Sequence, residues 1–111
     1  TRGYAEMVRL ATHLGAKAET LAGLSGLGDL VLTCTSAQSR NFRFGQALGA
    51  GQAFDPTVTV EGAATARAVT DLAAREGLDL PVTAMVAALV AGQTTLNDAV
   101  ATLLSRPLKQ E

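Results

Sequence analysis

The side chains in this chain whose types and spacing could do chemistry are Asp29, Thr33, Arg40, Asn41 and Glu61. Asp29 is a lone carboxylate between Gly28 and Leu30 with apolar residues on both sides, so it is expected to be partly buried and to need a cation or several donors. Arg40-Asn41 places a planar fork of donors beside an amide, a pairing suited to a phosphate or a carboxylate. Taken one at a time, the same residues also fit a tight loop whose Asp caps a helix and whose Arg is solvated. Other chemistries lack their residues. One cysteine, one histidine and scattered carboxylates give no metal-ligand spacing. His13, the sole imidazole, adjoins the apolar face of a helix near its end and is read as a structural or surface residue, which leaves no Ser-His-Asp set. What remains is a surface for binding and positioning.

The elements that must hold these residues read as helices. Met7, Leu10, Ala11 and Leu14 repeat at helical spacing, with Glu6 and Arg9 expected to point elsewhere and Gly15 as the stop. Residues 18–24 form a short helix that runs into the glycines of Gly23-Leu24-Ser25-Gly26-Leu27-Gly28. That Gly-x-x-Gly-x-Gly spacing is not the dinucleotide fingerprint, and no strand precedes it. Leu30 to Thr35 has strand propensity, but nothing else offers a partner and a lone strand is not viable. It is therefore read as a helix whose first turn holds Asp29, with Asp29 and Thr33 on one face. Ser39 onward continues as a helix burying Phe44, Ala47 and Leu48, and Gly49 to Thr57 is a loop leading to a short extended run up to Val60. A helix from Gly62 to Arg75 buries Ala66, Val69, Leu72 and Ala73 and stops at Gly77. Pro81 opens a helix that buries Val82, Met85, Val86, Leu89 and Val90. Thr95 with Asp98 resembles a capping box, Leu96, Ala99, Val100 and Leu103 form an inner face, and Pro107 ends the last helix. About six short helices without strand pairs make an all-α domain.

Composition agrees with a single domain over residues 1–111. A chain of this length is expected to bury about 65% of its unfolded surface. The 48% hydrophobic content excludes disorder, and three Phe, one Tyr and no Trp make the core aliphatic. Cys34 has no partner for a disulfide and is expected to be a buried thiol. A net charge of −1 gives no footprint for nucleic acid, and no apolar run approaches the roughly 20 residues of a membrane span. No secretory signal is visible, and the first residues read as a helix already under way, as expected of a fragment.

Together the motifs carry more than their parts. Gly-Leu-Ser-Gly-Leu-Gly-Asp-Leu-Val-Leu-Thr-Cys-Thr-Ser over residues 23–36 is followed by Ser39-Arg40-Asn41, Phe44-Gly45, Val60-Glu61-Gly62, Leu80-Pro81-Val82 and Ser105-Arg106-Pro107-Leu108. This series closely resembles the carboxy-terminal substrate domain of bacterial-type NAD(P)-dependent glycerol-3-phosphate dehydrogenase. The resemblance implies a compact multi-helix domain, similar to the carboxy-terminal domain of 6-phosphogluconate dehydrogenase, set apart from its Rossmann domain. It implies a cytoplasmic oxidoreductase that interconverts glycerol 3-phosphate and dihydroxyacetone phosphate with NAD or NADP, serves glycerophospholipid synthesis, and can be a homodimer. By the same resemblance a lysine upstream of this chain exchanges the proton, since Lys17 and Lys109 stand in the wrong contexts. Asp29 would orient that lysine and Thr33 would sit beside the reacting oxygen. Asp29, Ser39, Arg40 and Asn41 would bind substrate, and Arg40, Thr59 and Glu61 would reach the cofactor. Thr59 stands where the family more often has an aliphatic residue, which favours a backbone contact there. Two other readings are a related two-domain dehydrogenase for another hydroxy acid, which the Arg40-Asn41 pair disfavours, and a helical interaction module, which has no need of converging polar residues.

Overall fold

In the computed structural model, which describes residues 1–107, the described chain is helical and contains no strand. Leu108 of the closing motif and Lys109 lie outside the described residues. Seven α-helices follow one another: α1 Arg2–His13, α2 Ala18–Leu21, α3 Asp29–Thr35, α4 Arg40–Gly49, α5 Glu61–Glu76, α6 Pro81–Val90 and α7 Leu96–Ser105. A π-turn, Leu24–Gly28, stands between α2 and α3.

Most boundaries have the local causes the sequence offers. Gly15, Gly77 and Gly92 take positive φ after α1, α5 and α6, a region that favours glycine. Ser39 caps α4 by accepting from Phe42 N–H at 3.2 Å. Thr95 accepts from Asp98 N–H at 3.2 Å and donates its hydroxyl to the Asp98 carboxylate at 2.8 Å, so that box closes side chain to side chain. The helix after residue 18 stops three residues short of expectation, at Leu21. Gly26 is the reason: a Cβ there would lie 2.1 Å from the Leu21 carbonyl oxygen. The backbone closes instead with Gly28 N–H on the Gly23 carbonyl at 3.2 Å, a π-type bond that leads directly into α3.

α5 and α6 form the principal packed pair, joined by α1 and α7 against α6. The buried apolar residues are Ala66 and Ala73 of α5, Leu80 before α6, and Ala99 of α7. That core is thin. The accessible surface is 7501 Å², against about 5,700 Å² for a folded monomer of this mass, so folding buries less than the expected share. Leu14, Leu96 and Val100, expected on inner faces, are exposed because no described element covers those sides of α1 and α7, and Leu48 and Val90 are more than a third exposed.

α1 departs furthest from expectation. Glu6 is its one buried residue, at 5% exposure. Its carboxylate accepts from Val82 N–H at 2.5 Å, and from Thr83 N–H and Thr83 Oγ1 at 2.9 Å each. Pro81 opens α6 without an N–H and Ala84 N–H reaches the Leu80 carbonyl, so Glu6 completes the first turn of α6 from a distant helix. Arg9 reaches across the surface, donating to the Asp79 carbonyl at 2.6 Å. Arg2 donates to the Leu103 carbonyl at 2.6 Å, and Arg106 pairs with the Asp79 carboxylate at 3.1 Å. Polar residues of α1 thus take part in its packing, alongside Met7 and Leu10, which line a depression against α5 and α6.

Candidate functional site

The loop joining α3 to α4 and the first turn of α5 enclose an open depression of about 300 Å³. Thr33, Ser39, Arg40, Asn41 and Glu61 line it, so five of the seven residues singled out from sequence come together. Local structure explains the gathering. α3 ends at Thr35, and Ser36 holds the turn by accepting from Gln38 N–H with its hydroxyl at 3.2 Å and from Ser39 N–H with its carbonyl at 3.0 Å. Arg43, one turn into α4, donates to the carbonyls of Ala37 at 2.7 Å and Gln38 at 3.1 Å and so ties the loop down.

The electrostatics favour an anion. Ser39 uses its side chain on the third N–H of α4, leaving the N–H groups of Arg40 and Asn41 without a protein acceptor among the described residues. Those free donors, at the positive end of a ten-residue helix, lie beside the Arg40 guanidinium. Arg40 Nη2 stands 3.6 Å from Glu61 Oε1, with the two side chains 52% and 76% exposed. Such a pair contributes about 0–1 kcal/mol, so a better-placed anion can displace the carboxylate. Asn41 is less free. Its Oδ1 accepts from Gly62 N–H at 3.0 Å, which leaves only its amide donors for a ligand.

Two predicted residues stay apart. Asp29 begins α3 and is exposed, with no hydrogen-bond or ion-pair partner among the described residues, against the expectation of partial burial. The apolar neighbours that pointed to burial are themselves outward: Leu24 is 91% exposed, Val31 53% and Leu32 61%. Thr33, one turn further along, reaches the depression and Asp29 does not line it. Thr59 is exposed in the connection before α5 and also lies outside the lining. Cys34, expected to be buried, is exposed on α3 for the same reason as Leu32 and Val31. His13 sits at the end of α1, 3.4 Å from Glu76, away from the site. Ser36 and Gln38 line the depression without having been singled out. Their position in a three-residue turn between two polar anchors was the available signal. Among the described residues no group of His, Cys, Asp and Glu could hold a metal ion, and no helix is long and apolar enough to cross a membrane.

Comparison with known proteins adds a family. The glycerol-3-phosphate dehydrogenase [NAD(P)+] of Cereibacter sphaeroides is 76% identical over the whole chain, and that of Paracoccus denitrificans is 62% identical. The chain spans about a third of the length of these relatives, 36% and 35% respectively. The crystal structure of glycerol-3-phosphate dehydrogenase from Coxiella burnetii superimposes with a TM-score of 0.85 at 43% identity, covering 95% of this chain and 34% of that one. The family described as NAD-dependent glycerol-3-phosphate dehydrogenase C-terminus matches residues 1–101, and the chain belongs to it.

Proposed function

We propose that this chain is the substrate-binding part of an NAD(P)-dependent glycerol-3-phosphate dehydrogenase that interconverts glycerol 3-phosphate and dihydroxyacetone phosphate. The observation that carries the reading is the convergence of Arg40, the unengaged N–H groups opening α4, and Ser39 on one open depression. That set fits a doubly negative phosphate, because it joins a charge-assisted fork to the positive end of a helix. Glu61 is then the resident anion that the phosphate displaces from Arg40.

The exposed guanidinium of Arg40 and the carboxylate of Glu61 also suit a nicotinamide dinucleotide, the one through its phosphates and the other through hydroxyls. When bound, that cofactor supplies or takes the hydride at the carbonyl carbon of the substrate. The residues of this chain then orient and hold charge. Arg40, Ser39 and the Asn41 amide fix the phosphate end, and Thr33 offers a hydroxyl near the reacting oxygen. Asp29, exposed and without a partner among the described residues, supports the charged form of a lysine contributed from outside residues 1–111. Thr59 lies near Glu61 in sequence and contacts the cofactor through its backbone. The enzyme carries its own Rossmann domain and works in the cytoplasm toward glycerophospholipid synthesis.

Arg40 gives the test. In the full-length enzyme Arg40→Ala should raise the KM for dihydroxyacetone phosphate at least about tenfold, since charge-assisted bonds are worth about 1.5–3 kcal/mol. Arg40→Lys should recover only part of it, because an ammonium lacks the planar fork. A KM for Arg40→Ala within about twofold of wild type would mean that its exposed pair with Glu61, worth little, is all Arg40 does.

A further inference from the structure

Asn41 and Gly62 stand immediately beside the two charged residues that face each other across the depression, Arg40 and Glu61. The connection between α4 and α5 runs through residues 50–60, and the two helices touch each other only sparingly. The bond from Gly62 N–H to Asn41 Oδ1, at 3.0 Å, is the one hydrogen bond that ties their first turns together among the described residues. It has a structural reason. Gly62 is the second residue of α5, so its N–H has no acceptor within its own helix, and Val60 at the N-cap has no side-chain oxygen to offer. Asn41 supplies that oxygen from the neighbouring helix. It can do so only because residue 62 has no side chain: a Cβ there would lie 2.8 Å from Asn41 Oδ1 and 3.0 Å from its Cγ. Asn41 also lines an open, largely apolar cavity of about 380 Å³ on its other side, between α4, α5 and α6, so its amide stands between that apolar space and the polar depression.

We propose that Asn41 and Gly62 act as a matched pair of positioning residues: bare Gly62 admits the Asn41 amide, whose oxygen locks the start of α5 to the start of α4 and so sets the spacing of Arg40 and Glu61 for their ligands. This deepens, and rests on, the reading of the depression as a phosphate and cofactor site. The lock also divides the labour of Asn41, whose oxygen serves the fold while its amide donors face a ligand. An added methyl at residue 62 meets the end of a movable side chain, so it displaces Asn41 and leaves the helices intact.

The test uses four variants of the full-length enzyme: Gly62→Ala, Asn41→Ala, Asn41→Asp and the double variant Asn41→Ala/Gly62→Ala. Amide hydrogen exchange of the segment 60–64 reads the lock directly. Gly62→Ala and Asn41→Ala should each speed exchange at the residue 62 amide by about tenfold, the loss of one hydrogen bond, while Asn41→Asp, which keeps the acceptor, should leave it slow. Kinetics with dihydroxyacetone phosphate and NADH or NADPH reads its consequence. Gly62→Ala should raise both KM values by about tenfold, because Arg40 and Glu61 move apart together, with kcat within about threefold. In the Asn41→Ala background the three atoms nearest to the same methyl are gone, so adding Gly62→Ala should change either KM by less than about twofold. Unchanged exchange in both single variants, or KM effects that multiply in the double variant, would overturn the lock. Absence of any turnover by the wild-type enzyme would overturn the dehydrogenase reading instead, and the exchange rates would still decide the lock.

Discussion

Glu6 offers the most direct measure of how this domain is held together. Its carboxylate is the acceptor for Val82 N–H, Thr83 N–H and the Thr83 hydroxyl, all at 2.5–2.9 Å and at 5% residue exposure. Bonds to a charged acceptor are worth about 1.5–3 kcal/mol each, but three bonds to one group are not additive and water can reach a helix end vacated by Ala. The negative charge also stands at the positive end of α6, which adds a further few tenths to about 1 kcal/mol. Glu6→Ala should therefore destabilise the fold by about 2–4 kcal/mol. Glu6→Gln should come close to that figure, since one amide oxygen can still serve Val82 while the amide donors confront Thr83. Thr83→Val, which removes a single hydroxyl bond, should lose only about 1 kcal/mol. Urea unfolding followed by circular dichroism measures all three as shifts in midpoint at constant slope. A Glu6→Ala midpoint equivalent to less than about 0.5 kcal/mol would show that water replaces the carboxylate without loss, and the account of α6 capping would fail.

Other perturbations reach different parts of the molecule. Gly26→Ala places a methyl where the Leu21 carbonyl oxygen stands at 2.1 Å, against backbone that cannot swing aside, so it should break the turn before α3 and lower the melting temperature sharply; an unchanged melt would refute the steric account. In the full-length enzyme Asp29→Asn should reduce kcat more than it raises KM, because it removes charge and keeps size; a pure KM effect would contradict the supporting role. The Thr57 hydroxyl and then its N–H hold Asp55 below its ordinary value of 3.8. Its contribution to stability is complete above that value and disappears as pH falls through the lowered one, and Thr57→Val should bring its titration midpoint back toward 3.8 by carboxyl NMR. The 111-residue chain by itself should fold to a helical, cooperatively melting unit and yet show no NADH or NADPH oxidation with dihydroxyacetone phosphate; turnover by the chain alone would show the catalytic lysine to be misplaced.

Much of the architecture was legible because its determinants are local. Gly77, Pro81, Thr95 with Asp98, and Ser39 mark helix ends through backbone and side-chain chemistry within a few residues. Ser39-Arg40-Asn41 was legible for the same reason: contiguous residues on a first turn arrive at one place together. What depends on remote partners was not legible. Glu6 looked like a solvent-facing acid beside an apolar stripe, because the N–H groups that bury it lie 76 and 77 positions away. Burial of Asp29 and Cys34 was inferred from apolar neighbours, yet apolar neighbours signal burial only where something covers them.

The same uncovered surface bears on how the site works. Ligand pockets bury about 70–90% of a small molecule, whereas this depression has one wall from the α3–α4 loop, another from the start of α5, and an open side. Leu24, Val31 and Leu32 stand exposed on the π-turn and α3, the elements that also carry Asp29 and Thr33. Leaving that much apolar area in water forgoes about 25 cal/mol for each Å² that a covering surface would remove. A surface that packs over these residues would at once recover that energy, exclude water from the Arg40 depression and bring a partner to Asp29. Exclusion of water strengthens the attraction of Arg40 for an anion, because charges interact more strongly at low dielectric. Anion affinity and closure of the apolar face are thus expected to be coupled: a substitution such as Val31→Asp, which makes no contact with the depression, should weaken phosphate-ester binding in the full-length enzyme about as much as Arg40→Lys does, and inorganic phosphate competition against dihydroxyacetone phosphate would measure it. Equal inhibition constants for Val31→Asp and wild type would separate the two surfaces and refute the coupling.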